Sequence, residues 1–335
     1  METGLKKTAI ITVKILISAA LLYVLFSRVN IEEFVRVLSG AKWPYVAMAA
    51  LIFVGTQLAA TFRWRTILKK DAELPATTVA SIYWIGLFFN SFLPTLVGGD
   101  VIKGYYLYKK IKRGGVAVAS IFMDRYSGYA ALMLITAVAL ISGGGLLSEG
   151  GVGFVMPALW AVVAAFVAIS AFMWSETLHG WAIGIFKKIR LFRVNELIDS
   201  IYGSFIAYKG RSDVLIKAFF LALVVQGGMI LGYFVLAKGL NIDAGLGYFF
   251  LFVPAAITVS MAPVTFSGLG VREGAFVFLF TKAALTTEAE ALGLSLLWFF
   301  ITVVVSLPGA VSYFRAGALH VPKDFGEKAA APGAK

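Results

Sequence analysis

Long runs of apolar residues, separated by short charged segments, set the pattern of this 335-residue chain. An uninterrupted apolar stretch of about 20 residues is long enough to cross the hydrocarbon core of a bilayer as a helix. A transmembrane β-barrel would instead alternate apolar and polar positions along each strand, which these runs do not do. The pattern therefore predicts an all-α polytopic membrane protein with six spanning helices, at 8–28, 43–63, 116–141, 154–174, 214–237 and 290–313.

Two stretches between the predicted spans, 77–112 and 246–282, are apolar but interrupted by proline and glycine. If both return to the side from which they enter, 23 of the 30 lysines and arginines lie on the side of the N-terminus and five on the other. Reading 78–97 as an ordinary span would move "KKIKRGG" outside, against the positive-inside rule. We therefore expect two re-entrant helical hairpins, with both termini cytoplasmic.

This order of elements predicts an inverted-topology repeat within a single transmembrane domain, residues 1–316. Each half, 8–141 and 154–314, runs span, span, hairpin, span, and the second half starts on the opposite side. "FLPTLVGGDVIKG" and "MAPVTFSGLGVREG" share the order proline, glycine pair, charged residue, glycine. Such repeats place substrate near the midplane, where broken helices meet. The remaining residues, 317–335, are expected to form a disordered cytoplasmic tail.

The first predicted hairpin is broken by a proline and two glycines. Pro94 has no N–H to donate, and Gly98 and Gly99 can adopt φ values that other residues avoid. A short helix is then predicted to begin near Asp100. Its first amides lack intrahelical partners and its dipole is positive there, so the break predicts an anion site inside the membrane.

The second predicted hairpin carries the same device. Gly268 and Gly270 predict a short helix that begins near Val271, so that both helix starts would face one shared pocket. Asp100 and Glu273 leave an alternative open, because a carboxylate at a helix start can cap that helix itself.

Ionisable side chains at membrane depth are costly and usually mark a substrate or ion pathway. Their formal charges sum to zero, so a fully paired structural network is the alternative to a binding site. Asn90 either satisfies backbone freed by the break or contacts substrate, while Arg63 and Arg65 of "FRWR" are interpreted as a span end anchored by cytoplasmic charges. The ionisable residues expected at or near membrane depth are Asp100, Lys103, Asp124, Arg125, Arg272 and Glu273.

Composition narrows the chemistry. The net charge of +12 does not indicate nucleic acid as a partner, because the basic residues flank the predicted spans. Cysteine is absent, and His179 and His320 lie in predicted loops, so neither a metal site nor a cofactor is expected. The chain has no G-x-x-x-x-G-K-[ST] motif and hence no nucleotide site of that type.

Three motifs, "NSFLPTLVGGDVIKGYYL", "SIFMDRYSGY" and "SGLGVREG", resemble the lysylphosphatidylglycerol synthase transmembrane-region family of flippase-like membrane proteins. The resemblance covers about residues 8–316. Lys103 departs from it, because the family usually shows arginine there, and lysine lacks the bidentate fork for phosphate. What the family implies falls here on Asn90, Pro94, Gly98, Gly99, Asp100, Asp124, Arg125, Gly268, Gly270, Arg272 and Glu273.

The resemblance and the charged breaks together predict a flippase or scramblase that carries a polar or anionic lipid headgroup across the cytoplasmic membrane by alternating access, with one half rocking against the other. No enzyme activity is expected, because the aminoacyltransferase domain of the multidomain synthases is lacking. The expected partner is a phospholipid or a polyprenyl-phosphate-linked lipid. Two alternatives stay open: a secondary transporter of a soluble anion, and a protein that presents lipid to a cell-envelope glycosyltransferase.

Overall fold

The computed structural model describes residues 23–93, 98–149, 152–175, 206–260 and 268–316, with isolated positions at 12, 16, 19–21 and 203. All regular secondary structure within these ranges is helical, as the sequence predicted. Eleven helices can be bounded: α1 Ile31–Ser39, α2 Trp43–Leu68, α3 Ala76–Phe92, α4 Gly98–Ile111, α5 Gly114–Glu149, α6 Val155–Trp174, α7 Ser212–Gly239, α8 Leu246–Ser260, α9 Val271–Lys282, α10 Glu288–Ser306 and α11 Pro308–Arg315.

Five of the six predicted spans are present as helices long and apolar enough to cross a membrane. They are α2, the Gly114–Gly143 part of α5, α6, α7, and the continuous stretch Glu288–Arg315 formed by α10 and α11. The first predicted span, 8–28, falls mostly outside the described residues, which include only a short apolar helical stretch at Ala19–Arg28. The predicted tail, 317–335, also lies outside them.

The two proline- and glycine-broken stretches form helix pairs, α3 with α4 and α8 with α9. These helices have 17, 14, 15 and 12 residues. At 1.5 Å per residue, they measure about 18 to 26 Å, which is shorter than the roughly 30 Å hydrocarbon core. Each pair is antiparallel, because contacts further along both helices run in opposite order: Asn90 lies beside Gly99 and Gly86 beside Lys103, while Ser260 lies beside Gly268 and Phe252 contacts Phe280.

Helices α2 and α7 lie antiparallel through the middle of the molecule. Tyr45 lies against Gly239 at one end, and Asp71 bonds Arg211 just beyond the other end. At mid-length, a Cβ on Gly228 would lie only 2.6 Å from Cγ2 of Thr56, so glycine is what lets the two backbones approach. This contact joins the first half of the chain to the second.

An aromatic core fixes the second hairpin. The ring of Tyr233 on α7 stacks between Phe276 of α9 and Trp298 of α10, with centroids 4.9 and 4.2 Å away. Phe280 stacks on Phe276 at 5.6 Å, one turn further along α9. All four side chains are buried, so α9 is held against two long helices by apolar packing.

Candidate functional site

Three helices meet at the carboxylate of Asp124, which α5 carries in a buried position. Nε of Arg63, on α2, lies 2.8 Å from Oδ1, and Nζ of Lys103, on α4, lies 3.0 Å from Oδ2. The carboxylate therefore ties the second helix of the first hairpin to two spanning helices. Breaking such a buried pair costs about 3–5 kcal/mol, because the remaining charge is left without a partner.

Lys103 is enclosed on its other sides by aromatic rings. Its ammonium lies 4.3 Å from the ring centroid of Trp64 and 4.9 Å from that of Tyr83. The Lys103 side chain is only 4% exposed. A carboxylate and two π faces thus hold this lysine in place, at the position where the resemblance implied arginine.

A second ion pair joins α4 to α5. Nε of Arg125 lies 2.6 Å from Oδ2 of Asp100. The side chain of Asp100 is 8% exposed and that of Arg125 is 40% exposed, against 8% for Arg63. Arg125 is thus the most accessible cation of the group, although it also holds the carboxylate at the start of α4.

The predicted roles of Gly98 and Gly99 need correction. The helix was expected to begin near Asp100, and the described residues of α4 begin two positions earlier, at Gly98. Gly99 is helical and does not adopt the unusual φ that we expected. Gly99 serves close packing instead, because a Cβ there would lie 2.0 Å from the carbonyl oxygen of Gly86 on α3. The amide of Gly99 donates to Oδ1 of Asn90 at 2.9 Å, so Asn90 satisfies an amide at the helix start. Pro94 falls outside the described residues.

These side chains surround a polar cavity of about 220 Å³. Asp124 lies ten residues after the start of α5, and Asp100 lies eleven residues before the end of α4. At 1.5 Å per residue, Asp124 is about 15 Å from the start of α5 and Asp100 about 16 Å from the end of α4. That is close to the middle of a hydrocarbon core roughly 30 Å thick. The polar and charged lining residues are Gln57, Arg63, Tyr83, Asn90, Asp100, Lys103, Asp124, Arg125, Tyr129 and Gln226.

The interpretation of Arg63 as a cytoplasmic anchor is wrong. Helix α2 continues to Leu68, so Arg63 is an internal residue of this helix, and it is 7% exposed. Arg65, two residues on, does face outward. The sequence contained a signal for this placement: Lys69 and Lys70 follow the end of α2 and can anchor it at the membrane surface, so Arg63 is not needed as an anchor. With Arg63 included, the cavity holds three cations and two carboxylates.

The second charged pair does not join this cavity. Glu273 is fully buried, its Oε2 accepts the amide of Gly270 at 2.7 Å, and its Oε1 accepts Nη2 of Arg272 at 2.5 Å. Glu273 thus occupies the start of α9 as a cap, the alternative that the sequence left open. Gly268 and Gly270 adopt φ values of 78° and 84°, as the predicted break required.

This cavity does not include both helix starts, as the expected shared pocket would. Among the described residues, the cavity is lined by α2 to α5 and α7, and Arg272 and Glu273 are not part of its lining. The physical reason is that the positive end of α9 already has an anion of its own chain, whereas the start of α4 opens beside Asn90 and Arg125.

A cluster of charges closes the end of the molecule where α2 ends and α7 begins. The carboxylate of Asp71 accepts both Nη1 and Nη2 of Arg211, at 2.5 and 3.0 Å, and its backbone oxygen accepts Nη1 of Arg113 at 2.7 Å. The hydrogen bond to Asp71 raises the pKa of Arg211. Lys70 and Asp213 add a more exposed pair at 2.8 Å.

Long apolar helices around a buried, charged cavity at mid-depth define an integral membrane protein. The family model described as "Lysylphosphatidylglycerol synthase TM region" matches residues 11–309. The chain belongs to this family, as the three motifs predicted. No curated protein sequence matches the chain.

Proposed function

We propose that this protein is a flippase or scramblase that carries an anionic lipid headgroup across the cytoplasmic membrane by alternating access. The observation that supports it is the charged cavity at mid-depth, with three cations against two carboxylates. The barrier to unaided flipping is the cost of removing a charged headgroup from water. A cavity that offers a guanidinium and polar side chains at that depth lowers this barrier, since it replaces the lost hydration.

A second, apolar cavity favours a lipid over a soluble anion. It measures about 330 Å³ and lies between α5, α7 and α8. Its α5 lining includes Ile135, Ala139 and Ser142, which share a helical face with Asp124 and Gly128 of the charged cavity. The rest of the wall is apolar and includes Leu134, Val138 and Phe250. The hydroxyl of Ser142 adds little polarity, because it donates to the backbone oxygen of Val138 on its own helix.

A hydrocarbon chain suits this second cavity. Leu134 and Val138 are 43% and 54% exposed, so the wall is open at the surface that lipid tails would meet. A headgroup held near Arg125 and a chain laid along the same face of α5 would be two parts of one amphiphile. A soluble anion would use only the charged cavity.

The proposed inverted repeat is supported by a constant spacing. Asp71 and Asp243, which open the matching sequences "DAEL" and "DAGL", are 172 residues apart. The same spacing separates Lys112 from Ala284, the residues after each hairpin, whose φ values are 57° and 53°. Gly98 and Gly270, at the two helix starts, repeat it once more.

The contact between α2 and α7 fits that spacing. Thr56 and Gly228 are 172 residues apart, they touch each other, and they belong to helices that run in opposite directions. Two equivalent positions in contact are expected where a two-fold axis passes between antiparallel halves. This supports two halves of opposite orientation related by an axis near Thr56 and Gly228.

The charge distribution supports the proposed orientation. The two ends of the molecule are the Asp71 end, where α2 ends and α7 begins, and the end opposite to it. Among the described side chains, the opposite end has five basic and five acidic residues: Arg28, Arg36, Lys42, Lys238 and Lys282 against Glu32, Glu33, Asp243, Glu288 and Glu290. The Asp71 end is strongly basic, which favours the cytoplasmic side of an inner membrane. Its basic residues are Lys69, Lys70, Lys109, Lys110, Lys112, Arg113, Lys209, Arg211 and Lys217, against the acidic Asp71, Glu73 and Asp213.

The decisive experiment is transfer of fluorescent phosphatidylglycerol between leaflets of proteoliposomes, followed by quenching of the outer leaflet. We expect the protein to accelerate transfer over protein-free vesicles and Arg125→Gln to lower the rate at least about tenfold, equivalent to about 1.4 kcal/mol of the barrier. Lys238→Gln is the matched control, because it also removes a cation paired with aspartate, but far from the cavity. Transfer at the protein-free rate would refute the proposal.

Two further measurements separate the alternatives. Uptake of a soluble anion without lipid transfer would favour the secondary transporter. Copurification with a glycosyltransferase, together with no transfer by the pure protein, would favour the lipid-presenting role. No enzymatic step is proposed.

A further inference from the structure

We propose that the cavity selects headgroups with one net negative charge, such as a phosphodiester, over zwitterionic and doubly charged headgroups. The inference rests on the proposed function, and it names the charge class of the substrate. It follows from the imbalance of one charge among the cavity side chains that the structure describes: Arg63, Lys103 and Arg125 against Asp100 and Asp124.

The imbalance persists although every carboxylate of the cavity is paired. Asp124 accepts hydrogen bonds from both Arg63 and Lys103, so one negative charge is paired with two positive charges. Among the described residues, Asp100 pairs with Arg125. At membrane depth an uncompensated charge costs about 2.5–3.5 kcal/mol on insertion scales. One added negative charge makes the cavity neutral, whereas a zwitterion leaves the surplus in place and a dianion reverses it.

Arg125 is the cation that meets the headgroup. Its side chain is 40% exposed, while those of Arg63 and Lys103 are 8% and 4% exposed. The planar guanidinium of Arg125 can donate two hydrogen bonds to two phosphate oxygens. Arg125 can therefore supply the bidentate contact that a lysine at position 103 cannot make. Lys103 is instead held between Asp124 and two aromatic rings, where it sets the charge of the cavity without reaching the substrate.

The charge imbalance is confined to one half of the protein. Four of the five charged residues of the cavity have apolar counterparts 172 residues later: Arg63, Lys103, Asp124 and Arg125 correspond to Val235, Ala275, Leu296 and Leu297. The counterpart of Asp100 is Arg272, which is paired with Glu273. The second half therefore has no equivalent of this cluster at those positions.

Two substitutions change the cavity charge in opposite directions. Because only ratios between lipids within one preparation are used, the test does not depend on how much active protein is recovered. Transfer of three fluorescent lipids is compared within each preparation: phosphatidylglycerol with one negative charge, zwitterionic phosphatidylcholine, and phosphatidic acid at a pH where its phosphomonoester carries two. The wild-type protein is expected to prefer phosphatidylglycerol over each of the others by at least about tenfold, or about 1.4 kcal/mol.

Lys103→Gln removes the surplus and should move the ratio of phosphatidylglycerol to phosphatidylcholine at least about fivefold toward phosphatidylcholine, about 1 kcal/mol. Asp100→Asn adds a positive charge and should move the ratio of phosphatidic acid to phosphatidylglycerol in favour of phosphatidic acid. If Lys103→Gln does not fold, Asp100→Asn is sufficient by itself, because the inference predicts the direction in which it changes the ratio of phosphatidic acid to phosphatidylglycerol transfer. Equal transfer of all three lipids by the wild type, or ratios that Asp100→Asn leaves unchanged, would overturn the inference.

A soluble arm separates this inference from the proposed function. Radiolabelled glycerophosphoglycerol carries the same phosphodiester without acyl chains. Its uptake, with the same charge preference but no lipid transfer, would retain the charge selection and reject the flippase. Lipid transfer without any charge preference would retain the flippase and reject the selection.

Discussion

Replacing Gly99 with alanine tests the close packing of the first hairpin. The added Cβ would lie 2.0 Å from the Gly86 carbonyl oxygen and 2.6 and 2.7 Å from Cγ and N of Asn90. Ordinary contacts lie at 3.4–4 Å, so α3 and α4 would have to separate by roughly 1.4 Å at this point. Overpacking of this kind typically costs about 1–3 kcal/mol, and two of the three atoms are backbone atoms that cannot rotate away.

The same shift would displace Asp100 and Lys103 relative to their partners on α5, so lipid transfer should fall with stability. Thermal unfolding in detergent, read by circular dichroism, measures the first effect, and the proteoliposome assay measures the second. Gly86→Ala should be milder, since its Cβ would meet Cβ of Lys103 at 3.0 Å and the Gly99 oxygen at 3.1 Å. Gly227→Ala is the control, with no atom within 4 Å. A Gly99→Ala protein as stable as Gly227→Ala would refute the close-packing argument.

Two further substitutions test other contacts by the same unfolding measurement. Asp71→Ala removes both hydrogen bonds to Arg211 and should cost about 1.5–3 kcal/mol, because the acceptor is charged and largely buried. Lys70→Ala, from a half-exposed pair, should cost no more than about 1 kcal/mol, and equal losses would contradict this ranking. Gly270→Ala forces a side chain into φ 84° and should cost about 1–3 kcal/mol, whereas Gly274→Ala in an open helical position should not destabilise; the reverse order would be inconsistent with the described break.

The membrane class and most spans were predictable because apolar length is a local property of the sequence. Helices α2, α5, α6 and α7 and the α10–α11 stretch overlap their predicted spans, and the hairpin breaks fall at the predicted glycines. Glycine has two uses that sequence does not separate, however. Gly268 and Gly270 adopt positive φ, whereas Gly99 is helical and permits close approach.

The candidate site was predictable only in part, because burial of a charge depends on which helix face meets a neighbour. Arg63 and Arg65 sit two residues apart in one motif, yet only Arg63 faces Asp124. Glu273 illustrates the opposite limit. Its sequence neighbourhood matches that of Asp100, but its carboxylate turns back onto Gly270 and so closes the helix start.

If access to the cavity alternates as proposed, the antiparallel contact of α2 with α7 constrains the motion. It extends from Tyr45 and Gly239, through Thr56 and Gly228, to the ion pair of Asp71 and Arg211. Opening the halves like a book would break this whole length at once. The first hairpin is tied to α2 and α5 by the ion pairs of Asp100 and Asp124, the same groups that an arriving anion would disturb, while its other contacts include close packing on Gly309 and Tyr313 of α11. Binding of an anionic headgroup would then weaken the ion pairs that tie the hairpin to α2 and α5.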